Sequence, residues 1–256
     1  MTRLGFKAGS AFHVERTPGP TVPAAGVPRG TRLFTPPRHG KPPVTPSEPV
    51  SDAALEALLC EGLDALALPP VHAPPLARLC LLLHAWAARM SLTAHRTPEA
   101  IARRLVLDAL ALERQLPEAD SLVDLGSGAG FPGLPIAVVR PACRVSLVES
   151  RERRHHFQRA AARELRLASV EPIRGRAEAL EPRPHGIAVA QAMAEPDRAV
   201  RWLVPWVEPG GLVAIPGSES APRVELPPGL LEARVLAYRV PLEGPKRTLW
   251  LARRSA

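Results

Sequence analysis

The chain has 256 residues, of which 46% are hydrophobic and only 4% aromatic, so it can bury a sizeable and mainly aliphatic core. Its net charge of +8 favours a polyanionic partner, nucleic acid before membrane, although abundant arginine is also expected of a GC-rich genome. No signal peptide and no bilayer-spanning run is present, and Cys60, Cys80 and Cys143 show neither metal-ligand nor disulfide spacing. We therefore predict a cytoplasmic protein that uses neither a membrane nor a metal.

The first 50 residues are rich in proline and glycine and show little apolar periodicity. Such a segment buries too little surface to offset its ordering entropy, so we predict a disordered Pro/Arg-rich arm over residues 1–50. An organellar transit peptide is a second interpretation, which the scarcity of serine disfavours. A start codon assigned too early is a third.

Residues 51–115 are predicted to form an N-terminal helical subdomain. Ser51 can cap a first helix with leucines at helical spacing. The prolines from Pro69 to Pro75 are expected to break the chain before a second, strongly apolar helix over about 76–90. Thr97-Pro98-Glu99 is typical of a helix start, because it supplies a capping hydroxyl, a first-turn proline and a first-turn acid.

Strands and helices alternate over residues 116–256, which predicts an α/β fold with a mostly parallel sheet and helices on both faces. Seven strands are predicted, at 121–125, 144–149, 170–174, 187–192, 211–215, 233–240 and 248–252. Helices are predicted near 133–139, 151–167 and 197–206. The last two strands have no helix between them and are expected to form an antiparallel hairpin at one edge.

A glycine-rich turn between the first two strands is the most informative stretch. Asp124 lies at the end of the first strand, and Glu149 ends the second. The turn contains Gly126, Gly128, Gly130 and Gly133. This is the layout of a nucleotide-cofactor pocket at the edge of a parallel sheet, where glycine lets a ligand lie against the backbone.

The glycine spacing alone also fits NAD, but three features favour S-adenosylmethionine. Asp124 stands where a carboxylate can meet a cationic ligand, and the glycines alternate with single residues. Pro132 and Pro135 lack the amide donors that a pyrophosphate would use. Glu149 is placed to bind the two ribose hydroxyls. An NAD-dependent oxidoreductase, or a purely structural turn with Glu149 as a solvated charge, stays an alternative.

The sequence shows no acid–base machinery for activating an acceptor, so catalytic residues are left unassigned. Cys143 is better explained as a small buried apolar residue than as a nucleophile. A purine N7 acceptor is compatible with this, because that nitrogen carries a lone pair and no proton and is methylated by positioning and electrostatics. The arginine-rich helix from Arg151 fits either phosphate contacts along RNA or a solvated face.

Three runs carry a family resemblance: V-D-L-G-S-G-A-G-F-P-G-L-P-I-A-V-V-R-P (123–141), S-L-V-E-S-R-E-R-R (146–154) and V-E-P-I-R-G-R-A-E (170–178). They resemble ribosomal RNA small-subunit methyltransferase G, also called glucose-inhibited division protein B, and the resemblance spans about residues 51–256. Two upstream segments, W-A-A-R-M-S-L-T (86–93) and R-L-V-L-D-A (104–109), resemble the N-terminal helices of the same family. The resemblance implies a Rossmann-like, S-adenosylmethionine-dependent methyltransferase domain over 116–256. It also implies a cytoplasmic bacterial enzyme that methylates N7 of a guanine in 16S rRNA, free or in the small ribosomal subunit. We expect a monomer.

The resemblance also implies site residues. It places cofactor contacts on Gly126, Phe131, the Ala177-Glu178 pair and Gln191, beside the ribose-contacting Glu149 and the loop residues Asp124, Gly128 and Gly130. RNA contacts are expected from Arg104, Arg151, Arg153, Arg154 and Arg247.

Four positions depart from the family pattern. The family usually has arginine where this chain has Gln191, histidine at Leu105, asparagine at Ser91 and lysine at Pro216. Loss of a bidentate arginine is not a conservative change. Two alternatives therefore stay open: a diverged paralogue that binds S-adenosylmethionine but methylates another acceptor, and a non-catalytic RNA-binding module.

Overall fold

A computed structural model of the chain describes residues 52–256, so the predicted arm and the Ser51 cap lie outside the described residues. Within them, seven strands form one sheet in the order β3-β2-β1-β4-β5-β7-β6. The strands are β1 Ser121–Leu125, β2 Arg144–Glu149, β3 Val170–Arg174, β4 His185–Val189, β5 Val207–Gly217, β6 Leu230–Arg239 and β7 Lys246–Arg254. Strands β1 to β5 are parallel, and β7 is antiparallel to both β5 and β6, as predicted for the terminal hairpin.

Helices cover both faces of this sheet, as the strand–helix alternation predicted. They are α1 Asp52–Ala65, α2 Ala73–Ala87, α3 Pro98–Ile101, α4 Leu107–Glu113, α5 Gly133–Val139, α6 Glu152–Glu164 and α7 Pro196–Leu203. A π-helical segment, Ala102–Val106, joins α3 to α4. Thr97 caps α3, because its side chain accepts a hydrogen bond from the Ala100 amide at 3.2 Å.

Several predicted boundaries differ from the observed ones, and two of the differences have an identifiable reason. Helix α2 begins at Ala73, with Pro74 and Pro75 inside its first turn, where the missing proline amide has no intrahelical partner to lose. Strand β4 ends at Val189 and does not continue to residue 192. Ala190 and Ala192 suggested a longer strand, but Ala192 adopts a φ of +52°, which takes the backbone out of the extended region.

Alternating strand residues divide the core between the two faces. Leu122 and Leu147 belong to a cluster that also contains buried residues of helices α1 to α6. Val123 and Val148 belong to the second cluster, which is closed by α7 and Trp206. One hydrophobic core therefore runs from the N-terminal helices into the sheet, across the boundary near residue 115. The division into 51–115 and 116–256 stays a prediction.

Arg140 joins α5 to the end of α4. Its Nε donates to Glu113 Oε1 at 2.6 Å, and its other nitrogens donate to the carbonyls of Glu113, Leu116 and Pro117 at 2.7–3.1 Å. Glu113 is buried, and its Oε2 has no partner within residues 52–256. The guanidinium thus donates hydrogen bonds to carbonyl groups at the end of α4 and pairs with a buried carboxylate at the same time.

Candidate cofactor and acceptor site

The strand order reverses beside β1, which pairs with β2 on one side and β4 on the other. In parallel sheets the crevice outside the carboxyl ends of the strands at such a point is the usual ligand site. The glycine-rich loop leaves β1 there, and residues 190–194 leave β4 beside it. Two segments widely separated in sequence thus meet at one edge of the sheet.

The loop backbone requires glycine. Gly126, Gly128 and Gly130 have φ values of +69°, +59° and +87°, which side-chain-bearing residues rarely adopt. A Cβ on Gly126 would also lie 2.6 Å from Met193 Cγ. The glycine therefore allows the segment after β4 to approach the loop closely.

Asp124 fixes the end of the loop at the start of α5. Its side chain is fully buried, and Oδ2 accepts a hydrogen bond from the Gly133 amide at 3.0 Å, while Oδ1 has no partner among the described residues. Burial raises the pKa of Asp124 to about 8. The sequence suggested that this carboxylate meets a cationic ligand; here it lines neither cavity of the site and instead anchors the first turn of α5.

Asp124→Asn should flatten the pH dependence of stability. The unfolded chain ionises this carboxyl at about pH 3.9 and the folded chain only at about pH 8, so the wild type loses stability as the pH rises between these values. Urea unfolding at about pH 5 and about pH 9 should show a smaller drop for the variant. Equal drops would show that Asp124 titrates normally.

Glu149 ends β2 and holds the loop from the other side. Only 4% of the residue is exposed; Oε2 accepts from the Gly128 amide at 3.0 Å and Oε1 from the Arg151 amide at 2.7 Å. Arg154 Nη1 lies 3.7 Å from the same carboxylate. The loop that Glu149 faces thus holds the Glu149 side chain in place at the end of β2.

Two residues that the sequence did not single out also hold the loop: Ser127, within the glycine-rich motif, and Gln158, which belongs to no recognisable motif. Gln158, on α6, is completely buried, and its Nε2 donates to Ser127 Oγ and to the Gly128 carbonyl, both at 2.8 Å. Ser127 Oγ donates in turn to the Val148 carbonyl at 3.3 Å. These side chains fix the loop against α6 and β2.

Gln158→Leu should weaken cofactor binding by about fivefold to tenfold, because two hydrogen bonds that order the loop are lost. Stability should change little, since the unpartnered Oε1 is removed as well. Calorimetric titration with S-adenosylhomocysteine measures the affinity. Gln115→Leu, outside the site, is the matched control, and an equal loss in both variants would contradict this role for Gln158.

Two cavities meet above the loop. The Trp202 cavity, of about 170 Å³, is lined by Gly126, Val148, Ser150, residues 175–178, Met193 and Trp202. The Tyr238 cavity, of about 370 Å³, is lined by residues 190–194, Pro196, Ala199, residues 215–218, Ser220, Pro222, Tyr238 and Arg247. Met193 belongs to both linings and separates one cavity from the other. Four of the nine expected cofactor-contact residues lie here: Gly126, Ala177, Glu178 and Gln191.

The other expected residues lie around these cavities. Phe131 packs, half-buried, at the edge of the core, and Gly128 and Gly130 form the loop backbone. Arg104, Arg151 and Arg153 are exposed, and none of the three has an ion-pair partner in the described part of the chain. Arg154 lies over the loop beside Glu149. Arg247 is paired with Asp108 at the wall of the Tyr238 cavity.

The departures from the family pattern divide between the site and its surroundings. Gln191 and Pro216 line the Tyr238 cavity, whereas Leu105 packs against the core and Ser91 is exposed. Cys143 is buried, and burial raises its thiol pKa, as expected of an apolar role. Among residues 52–256, no cluster of His, Cys, Asp and Glu could hold a metal ion, and no helix is long and apolar enough to cross a membrane.

The strand order, the glycine-rich loop after β1 and the acid ending β2 form the cofactor site of a Rossmann-like fold, and with the family match given below they identify an S-adenosylmethionine-dependent methyltransferase. Solved structures share the fold. A putative O-methyltransferase from Klebsiella pneumoniae superposes with a TM-score of 0.52 at 17% identity, covering 80% of this chain and 99% of that one. An O-methyltransferase from Bacillus cereus, in complex with SAH, superposes with a TM-score of 0.51 at 16% identity, covering 80% and 100%.

Sequence comparison identifies the family. The model of rRNA small subunit methyltransferase G matches residues 73–226. The chain is 37% identical to ribosomal RNA small subunit methyltransferase G of Stenotrophomonas maltophilia over 198 residues, 76% of this chain and 93% of that protein. It is 35% identical to the protein of the same name from Anaeromyxobacter over 218 residues, 79% and 100%. The chain belongs to the rRNA small subunit methyltransferase G family, which confirms the predicted resemblance.

Proposed function

We propose that this protein transfers the methyl group of S-adenosylmethionine to N7 of a guanine in 16S rRNA, in the cytoplasm and as a monomer. The observation that carries this proposal is the combination of family membership with an intact glycine loop and Glu149 at the switch point of the sheet.

The nucleoside end of the cofactor fits the Trp202 cavity. Glu149 lies in the chain between Val148 and Ser150, which line the cavity, and is placed for the ribose; Ala177, Glu178 and Trp202 line the space for the adenine. At about 170 Å³ this cavity is smaller than typical cofactor sites of roughly 300–1,000 Å³. We therefore expect the methionine end to extend past Met193 towards the Tyr238 cavity, with a displacement of the Met193 side chain.

Cationic residues surround the same edge of the sheet and would hold RNA. Arg151 and Arg153 lie directly after β2, at the start of α6. Arg104 lies on the π-helical segment. Its neighbour Arg103 places this segment near the loop between β6 and β7, because Arg103 Nη1 is 3.5 Å from the Leu242 carbonyl. Because β7 runs antiparallel, that loop lies at the carboxyl edge of the parallel strands. Exposed guanidinium groups at the start of α6 and on the π-helical segment thus lie near this edge and are suited to phosphates.

For methyl transfer to N7, the protein needs mainly to position the guanine and the cofactor. The cofactor supplies a sulfonium methyl, and the N7 lone pair attacks it without first losing a proton. The chain's own residues then need to hold the purine edge in line with the methyl and keep water out. The walls of the Tyr238 cavity, between Met193 and Arg247, provide such a place.

Incubation of the protein with radiolabelled S-adenosylmethionine and small ribosomal subunits tests the proposal. Label should enter 16S rRNA, and cleavage at 7-methylguanine should map it to one position. Naked 16S rRNA run in parallel separates recognition of the particle from recognition of the RNA. Absence of label from both substrates, with cofactor binding intact, would refute methylation of 16S rRNA.

The Tyr238 cavity also motivates a second candidate function, methylation of another acceptor, because Gln191 and Pro216 stand where the family has basic residues. Transfer to bulk cellular RNA but not to small subunits would favour it. The variant Gln191→Arg tests whether the site has decayed from one that acted on small subunits. Activity gained on small subunits would show that it has.

A non-catalytic RNA-binding module would bind no S-adenosylmethionine at micromolar concentration.

A further inference from the structure

Arg247 is held in one orientation by a carboxylate from another layer of the fold. Its Nε and Nη2 donate to the two oxygens of Asp108, at 3.1 and 3.0 Å. Asp108 lies on α4, is 7% exposed and is 139 residues away in sequence. A bidentate pair of this kind fixes the guanidinium plane. The distal Nη1 has no partner among residues 52–256 and belongs to a side chain that lines the Tyr238 cavity.

The pair is poorly suited to bind a phosphate. Asp108 neutralises the charge of the guanidinium, and the Arg247 side chain is only 27% exposed. Arg104, Arg151 and Arg153 are exposed without ion-pair partners in the described chain, so they are better placed for the RNA backbone. An oriented, charge-compensated N–H donor at a cavity wall is suited instead to a neutral acceptor atom.

Tyr238 stands beside Arg247 and is the chain's single tyrosine. It is half-buried, and its ring forms part of the wall of the same 370 Å³ cavity. Aromatic faces beside arginine are typical of sites that receive an unstacked base. The cavity adjoins Met193, which separates it from the space assigned to the nucleoside end of the cofactor.

We propose that Arg247 determines base specificity: its Nη1 donates a hydrogen bond to O6 of the guanine that enters the Tyr238 cavity, while Tyr238 packs against the base. This inference rests on the proposed methylation of a guanine. In guanine, O6 and N7 are neighbouring acceptors on one edge. A donor directed at O6 alone holds this edge and leaves the N7 lone pair free for the methyl group. Adenine presents an amino donor at the same place, which meets the N–H of Arg247 unfavourably.

Replacing the target base tests this directly. Small subunits are reconstituted with 16S rRNA in which the guanine mapped above is replaced by inosine or by 2,6-diaminopurine. Inosine keeps O6, whereas diaminopurine keeps N7 and the 2-amino group but carries an amino group at C6. The wild type should methylate guanine and inosine comparably, and diaminopurine with a kcat/KM lower by about tenfold to a hundredfold.

The variant Asp108→Leu/Arg247→Met removes the donor without leaving a buried carboxylate unpaired. It should lose about tenfold to a hundredfold in kcat/KM on guanine and almost nothing on diaminopurine, so that the discrimination disappears. Its affinity for S-adenosylhomocysteine should equal that of the wild type. Arg253→Met, at the other end of β7, is the matched control and should keep the discrimination.

Two results would overturn the assignment. Equal losses on guanine and diaminopurine would show that the ion pair supports the fold or the RNA backbone and does not read O6. A wild type that methylates diaminopurine as fast as guanine would show that O6 is not read at all. Absence of methylation of the guanine substrate by the wild type is a separate outcome, because it refutes the proposed function on which this inference rests.

Discussion

Glu149→Ala should weaken the binding of S-adenosylmethionine by about 100-fold or more. The carboxylate accepts hydrogen bonds from the amides of Gly128 and Arg151 and lies 3.7 Å from Arg154. Its removal costs the ribose contact and releases the loop at the same time, and each hydrogen bond to a charged acceptor is worth about 1.5–3 kcal/mol. Calorimetric titration of the purified variant measures the loss.

Glu152→Ala is the matched control for this variant. Glu152 lies three residues further on, begins α6 and is more than half exposed, in an ion pair with Arg174. Its loss should leave the affinity unchanged. If Glu149→Ala bound the cofactor as tightly as this control, the placement of the ribose at β2 would have to be abandoned.

Arg140→Met should lower the free energy of unfolding by about 3–5 kcal/mol, the cost of leaving a buried charge without its partner. The variant leaves the Glu113 carboxylate, which is 3% exposed, without its ion-pair partner. Three carbonyls at the end of α4 also lose their hydrogen-bond donor. Urea unfolding followed by circular dichroism gives the difference.

Arg78→Met removes an arginine of a different kind, because the Arg78–Glu164 pair is well exposed on both sides. Exposed ion pairs contribute little to stability, so its unfolding midpoint should stay near that of the wild type. A Glu113→Gln/Arg140→Met double variant should recover part of the loss. A small effect of Arg140→Met alone would show that Glu113 is protonated or reaches water.

The fold was predictable because its signals are local. Strand–helix alternation indicated a parallel sheet, and β1, β2 and β3 have the bounds that were predicted. The errors came where local signals fail. The alternation of Ala190, Gln191 and Ala192 continues a strand pattern, although β4 ends at Val189 and the backbone turns at Ala192. Prolines at 74 and 75 suggest a break, yet they are well tolerated in the first turn of α2.

The site was predictable only in part, because its members are brought together by tertiary structure. Residues within motifs, such as Gly126 and the Ala177-Glu178 pair, were named and line a cavity. Trp202 and Tyr238 have no motif around them, and their elements reach the site only through the strand order. The partner of Arg247 is 139 residues away, so the sequence could indicate a cationic residue but not its neutralisation by Asp108.

The hydrophobic core shared by helices α1 to α4 and the sheet limits how this protein can change by recombination. Leu122 and Leu147 of the sheet pack in the same cluster as Leu59 and Leu83 of the helices. A chimera that joins the first helices of one family member to the sheet of another would meet a mismatched surface unless both were exchanged together. Asp108 lies on α4 and its partner Arg247 lies on β7, so the two residues must be exchanged together. Substrate choice and core packing should therefore change together rather than independently.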